Sequence, residues 1–222
     1  MTNLIRVSGI ALIISACSIV TSPLIEQHQQ VEGKSLARYA DMWWQWSYSM
    51  PAHQSPVRDL TGDACHINQR GKVWYLAGGY DKARIQRKCQ IPEGKHVFFP
   101  IINRVYWPDK GTQPSCDEVK KHAMLPHTER LELWVKINEQ RLPDIKHYRF
   151  SSAECFNLTQ EVPAEYRAPD IYPAASDGYW VMLAPLPVGK HTLTFHAEYK
   201  HGANPARLAQ HIEYEIHVVP GS

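Results

Sequence analysis

Two stretches of this chain alternate residue by residue between apolar and polar side chains, and that pattern restricts the fold more than any other feature. In RLELWVKI, residues 130–137, Leu131, Leu133, Val135 and Ile137 oppose Glu132, Trp134 and Lys136. In HIEYEIHVV, residues 211–219, Ile212, Tyr214, Ile216 and Val218 oppose His211, Glu213, Glu215 and His217. Successive side chains of an extended chain point to opposite faces, so each stretch reads as a strand with one face in a core and one in water. HTLTFHAE, residues 191–198, repeats the pattern, with Leu193 and Phe195 against Thr192, Thr194, His196 and Glu198. If it pairs with residues 211–217, imidazoles and carboxylates meet on one surface. Neutral imidazole and carboxylate are good zinc or copper ligands, but no HExxH or other dense metal motif is present and no metal site is assigned. An ordinary solvated face with favourable cross-strand pairs is the preferred reading of these residues.

Other segments are continuous apolar runs of β-forming residues: KVWYLAG, HVFFPIIN and YWVML. Short turn sequences, among them the NEQ after Ile137 and the PLPVG before Lys190, separate them. Strands joined by short turns predict an all-β fold, an antiparallel β-sandwich of jelly-roll-like form. A single helix is expected at its N-terminal end. In SLARYADMWWQWSYSMP, Ser35 can cap a helix, and Leu36, Tyr39, Ala40, Trp43 and Trp46 or Ser47 keep amphipathic spacing up to Pro51. Trp43 and Trp44 point about 100° apart on a helix, so they either pack together on a sheet or form an aromatic platform. The polar segment 108–129 has room for a short helix around residues 117–123.

The first residues have a different role. MTNLIRVSGIALIISA carries Arg6 and then an uncharged run, Val7–Ala16. That run is too short to span a bilayer, which needs roughly 20 apolar residues, and reads as a secretory signal. Ile14, Ser15 and Ala16 before Cys17 resemble a bacterial lipobox, in which the cysteine is acylated, palmitate included. Ser18, where an Asp would favour the inner membrane, implies by that resemblance the outer membrane, facing the periplasm. Several acyl chains hold firmly where one is marginal, since each buried CH₂ contributes about 0.8 kcal/mol. The expected organisation is a signal peptide over 1–16, a lipid-anchored tether over 17–34 and one domain over 35–222.

The other cysteines, Cys65, Cys89, Cys116 and Cys155, are an even number in an exported chain, which indicates disulfides in an oxidising compartment. Cys65–Cys89 and Cys116–Cys155 are the favoured pairs because each half then closes locally, at roughly 3.5 and 4 kcal/mol by chain entropy. Zinc is the rival use of these thiols, weakened by the lack of any CxxC. A hydrophobic content of 44% suits a sizeable core, and a net charge of +2 without a basic block argues against nucleic acid.

Three runs, DLTGDACHINQRGKVWYLAG, RKCQIPEGKHVFFPIIN and SDGYWVMLAPLPVGKHTLTFHAEY, resemble an uncharacterised family of secreted bacterial and archaeal proteins. That family combines GxVWFLAG, PxGKxxFFPxxN and DGYW…LPxGxHT motifs. Tyr75 stands where the family pattern has Phe. The resemblance implies export, a sandwich fold and the Cys65–Cys89 bridge, and carries no catalytic residue across. Its motifs concentrate Asp59, Asp63, Gln69, Asn103 and Asp177 near strand ends, where the loops of a sandwich commonly build a binding site. Asp and Asn are also ordinary turn formers. There is no GxSxG elbow and no phosphate-cradling glycine loop. Cys65 and His66, adjacent in sequence, would point apart on a strand. The function expected is a lipid-anchored, non-catalytic module that needs no cofactor and binds an envelope carbohydrate or protein. An envelope hydrolase using the Asp/Asn loops and a periplasmic metal-binding protein are the alternatives.

Overall fold

The computed structural model describes residues 22–79, 84–166, 169–199 and 209–221. The residues expected as a signal peptide, and Cys17, lie outside them. Nine strands and two α-helices follow in the order α1 (Leu36–Tyr48), β1 (Val73–Tyr75), β2 (Arg84–Pro92), β3 (His96–Tyr106), α2 (Cys116–Ala123), β4 (Leu131–Ile137), β5 (Gln140–Arg141), β6 (Arg149–Ser151), β7 (Ala175–Leu183), β8 (Gly189–Tyr199) and β9 (Gln210–Val219) among the described residues. The strands form a four-stranded sheet, β1-β3-β7-β6, and a five-stranded sheet, β2-β9-β8-β4-β5.

The two kinds of apolar pattern map onto the two sheets. The four-stranded sheet is covered on both faces, so every residue of β7 is buried and most of β3 with it. One face meets α1: Trp43, Tyr39 and Leu36 pack on Phe98, Trp180 and Met182, with Phe98 and Trp180 stacked at 5.4 Å. The other face meets the five-stranded sheet through Phe99, Ile101, Val181 and Leu183 against Val135, Leu193, Phe195 and Ile216. Phe99 and Phe195 stack there at 4.9 Å. A sheet covered on both sides needs continuous apolar strands, whereas one covered on a single side needs alternation. β4, β8 and β9 alternate, and Leu193, Phe195, Ile212, Tyr214, Ile216 and Val218 face inward as expected.

Several expectations need correction. The sheets are mixed: β1 runs parallel to β3, and β2 parallel to β9. Alternation tells which face is buried but not which neighbour lies alongside, so the antiparallel reading had no means of detecting these pairs. The helix α1 is not N-terminal, because a described segment precedes it; the short helix expected around 117–123 is present as α2, opened by a Ser115–Glu118 capping box. Part of the segment expected as a tether lies on the fold. Ala184 N donates to Pro23 O (2.7 Å), Ile25 N to Met182 O (2.9 Å), and Tyr39 Oη to Val31 O (3.0 Å). Leu24 packs on the inter-sheet core.

All of Trp43, Trp44 and Trp46 are buried, so they do not form an exposed aromatic platform. Trp43 Nε1 donates to Leu76 O and Trp46 Nε1 to Ile67 O, each at 2.9 Å. Both expected disulfides are present, Cys65–Cys89 with Cα atoms 5.9 Å apart and Cys116–Cys155 at 5.7 Å. Two disulfides fit an oxidising, extracytoplasmic compartment. Among the described residues no helix is long and apolar enough to cross a membrane.

Asp41 gives the helix–sheet interface a pH dependence. Its buried carboxylate accepts hydrogen bonds from Ser152 Oγ (2.5 Å) and Ser176 Oγ (3.1 Å). Burial raises its pKa from 3.8 to about 6, although those bonds and Arg38 oppose the rise. The fold therefore favours the neutral acid. That contribution is complete below pH 3.8 and is lost as the pH rises through about 6, roughly 3 kcal/mol across the window. Asp41→Asn is expected to flatten the slope of stability against pH in this window, as urea melts at stepped pH will show.

Candidate functional site

The five residues expected to converge do not. Asp59 organises a turn: its carboxylate accepts from Thr61 N, Thr61 Oγ1, Gly62 N and Ala64 N at 2.7–2.9 Å. Burial pushes its pKa up, but these bonds outweigh it and hold the carboxyl below its ordinary value. The turn presses against β2, where Lys88 N donates to Thr61 O (2.8 Å). Only glycine fits at Gly62, whose φ is +95° and whose Cβ would lie 2.1 Å from Lys88 O. Asp63 is exposed beside this turn. Gln69 ties the same loop to β1, donating to Cys65 O and Tyr75 O and accepting from Tyr75 N.

Asn103 and Asp177 lie elsewhere, on β3 and β7 of the four-stranded sheet. The amide nitrogen of Asn103 is buried with no hydrogen-bond partner among the described residues. Asp177 is fully buried and pairs with Arg149. None of the five lines the groove on the outer face of the five-stranded sheet. Three of them, Asp59, Gln69 and Asp177, are fastened by side-chain hydrogen bonds into a turn, a loop–strand link and an ion pair, which is the structural use of Asp and Gln.

That groove, about 580 Å³, lies on the outer, polar face of the five-stranded sheet. Strand pairing arranges this face in rows. Trp134, His196, His211 and Arg84 are cross-strand neighbours in one row. The next holds Lys136, Thr194, Glu213 and Gln86, and beyond it Thr192, Glu215 and Lys88 line up. In the first row Trp134 stacks on His196 (5.3 Å, 23°), and His196 meets His211 edge-on at 5.5 Å. Lys136 Nζ lies 5.8 Å from the Trp134 ring centroid, within reach of a cation–π contact.

Glu213 joins the rows. It accepts from Gln86 Nε2 (2.8 Å), His211 Nε2 (3.0 Å) and Arg84 Nη2 (2.5 Å). Burial raises its pKa, but these donors prevail and hold it low. Glu215 is likewise held low by a hydrogen bond from His217 (2.7 Å) and by the Lys88 charge. Burial, reinforced by the neighbouring His211, lowers the pKa of His196 and favours its neutral form.

On this face the Glu213 and Glu215 carboxylates are held ionised and hydrogen-bonded by their neighbours. Among the described residues no group of three His, Cys, Asp or Glu side chains could hold a metal ion, so the paired histidines lack further ligands. Sequence reasoning placed His196, His211, Glu213, Trp134 and Lys136 on polar faces but missed Arg84, Gln86 and Lys88, because β2 was not recognised as a strand. Its inward positions are Ile85, Arg87, Cys89 and Ile91, and an arginine among them hides the alternation.

No protein-family model matches the chain, and no curated protein matches it. Among solved structures, a chain from the structure of PbICP-C in complex with falcipain-2 is 9% identical, with a TM-score of 0.29, over 67% of this chain and all of that one. The solution structure of Amebosin is 8% identical, with a TM-score of 0.20, over 61% of this chain and 96% of that one. Likenesses this faint carry no inference about fold or partner.

Proposed function

We propose that this chain is a lipid-anchored cell-envelope protein, a non-catalytic β-sandwich module that binds an envelope polysaccharide on the outer face of its five-stranded sheet. The observation that carries the reading is the groove itself. Rows of imidazole, carboxylate, amide, hydroxyl and ammonium groups surround an indole, a mixture suited to the hydroxyls and apolar ring faces of sugars. A hydrolase needs a free acid or nucleophile, and of the Asp/Asn candidates for that role the carboxylates of Asp59 and Asp177 are taken up by structural hydrogen bonds.

The disulfides support the exported compartment, and the lipobox-like residues before Cys17 supply the anchor. With Pro23 held on β7, only residues 18–22 separate the acylated cysteine from the fold. Five residues reach about 18 Å at full extension, so the anchor would hold the domain close to the outer membrane on its periplasmic side.

Two experiments test the proposal. Labelled palmitate is expected in the wild type and not in Cys17→Ala; equal labelling of both would remove the anchor. A soluble form lacking the anchor is expected to co-sediment with purified envelope polysaccharide, and Trp134→Ala together with Lys136→Ala to abolish sedimentation without lowering the melting temperature. Undiminished sedimentation of that variant would exclude the sheet face.

A further inference from the structure

A second cavity, about 130 Å³, opens along the flank of α1 on the far side of the four-stranded sheet. Arg38, Met42, Gln45, Trp46 and Ser49 line it from the helix, Asn68, Arg70 and Tyr75 from the loop and strand opposite, and Glu161 from the rim. The helix residues lie at i, i+4, i+7, i+8 and i+11, a single stripe. At ~30 Å³ per water, the space equals about four waters, room for a head group of four or five heavy atoms but not a sugar chain.

The polar groups in it are unequally engaged. The Gln45 amide nitrogen donates to Asn157 O (2.9 Å) and Gln160 Oε1 (3.2 Å), and that of Asn68 to Ser49 Oγ (3.1 Å). Arg70 reaches Glu161 at 3.4 Å across the exposed rim. The Arg38 guanidinium has no hydrogen bond or ion pair among the described residues. Tyr75 is only 7% exposed, and no described residue hydrogen-bonds its hydroxyl. Burial pushes the Tyr75 hydroxyl far above its ordinary pKa, so it stays a donor. Met42 and the Trp46 ring, 5.5 Å from the Tyr75 ring, supply apolar walls.

We propose that this cavity binds a small monocarboxylate, free or as the C-terminal end of a peptide. The carboxylate is received by the Arg38 guanidinium and the Tyr75 hydroxyl, and its short apolar substituent lies against Met42 and Trp46. Guanidinium and carboxylate pair as a planar fork. Two arginines against one glutamate leave a single positive charge for the ligand, which favours a monoanion. The site shares no residue with the sheet-face groove, so it stands or falls independently of the proposed polysaccharide binding.

The test follows the indole N–H signal of Trp46 by NMR in the full chain, isotope-labelled at tryptophan. The probes are propionate, N-acetylglycylglycine and N-acetylglycylglycine amide. A saturable shift with propionate, with the acid peptide or with both is expected, at millimolar affinity, and none with the amide. A response to propionate alone identifies a free acid, and tighter binding of the peptide identifies a chain end. Arg38→Ala is expected to weaken binding at least about tenfold and Tyr75→Phe by a smaller factor, while Lys136→Ala leaves it unchanged. Arg38 is exposed, so an unchanged melting temperature will show that its variant is folded. No saturable shift with either acid, equal shifts with acid and amide, or undiminished binding by Arg38→Ala would each overturn the proposal.

Discussion

Asp177→Ala is expected to destabilise the fold by about 3–5 kcal/mol, because it removes one partner of a buried ion pair and leaves the other charged. Its carboxylate closes four contacts. Oδ2 accepts from Leu125 N (2.6 Å) and Arg149 Nη2 (2.8 Å), and Oδ1 from Arg149 Nε (3.1 Å) and Ser151 Oγ (2.7 Å). They tie β6 and the α2–β4 connection to β7. The hydrogen bonds it donates to Asp177 lift the already high pKa of Arg149 further, so the guanidinium cannot escape by losing its proton. Urea melts will read the loss. The double variant Asp177→Ala, Arg149→Leu is expected to be more stable than Asp177→Ala alone, since it no longer strands a charge. If Asp177→Ala cost less than about 1 kcal/mol, typical of surface pairs, the bridge would not hold these elements together.

Arg87→Met is expected to cost about as much, for a different reason. Arg87 is 2% exposed and has no carboxylate partner among the described residues. Its Nε donates to Asp59 O (2.7 Å), Nη1 to Ala77 O (2.9 Å), Gly78 O (2.8 Å) and Tyr214 Oη (3.1 Å), and Nη2 to Val57 O (3.4 Å). One side chain thus fastens the 57–62 loop and the end of the 73–79 segment to the strand pair β2/β9. Methionine keeps the apolar stem but leaves several buried acceptors unsatisfied, at about 1–3 kcal/mol each. Loss of the buried cation's desolvation cost offsets part of this, leaving a net loss of about 3–5 kcal/mol. Hydrogen exchange should accelerate first at Gly62 and Ala64, whose amides depend on the Asp59 turn. Uniform acceleration across both sheets would instead place Arg87 in the global core alone.

These two residues also mark where the sequence was readable and where it was not. The inward sets of β4, β8 and β9 were legible, because charges such as Glu213 and Lys136 cannot occupy a core and leave one register. The disulfides were legible from local closure. β2 was not, since Arg87 in an inward position looks like an outward one until its acceptors are known, and those lie on two distant segments. β6 is three residues long, too short to show any period. The outer face of the five-stranded sheet followed the same division. Its histidines and glutamates could be placed on a surface, but Trp134 became a neighbour of His196, and Arg84 of His211, only through strand pairing. Asp59 and Asp177 were attractive as ligand contacts because acidic residues in loops and at strand ends serve both binding and structure. Only their hydrogen bonds separate the two uses.

The most direct test of the central claim is hydroxyl-radical footprinting of the anchor-free chain with and without purified envelope polysaccharide. Protection is predicted at Trp134, His196 and His211, the oxidisable side chains of the first row, with Tyr172 and Met124, exposed outside the groove, oxidised equally in both samples. Protection confined to Tyr172 and Met124, or none at Trp134 under conditions where the chain co-sediments, would contradict the assignment of the outer sheet face as the binding surface.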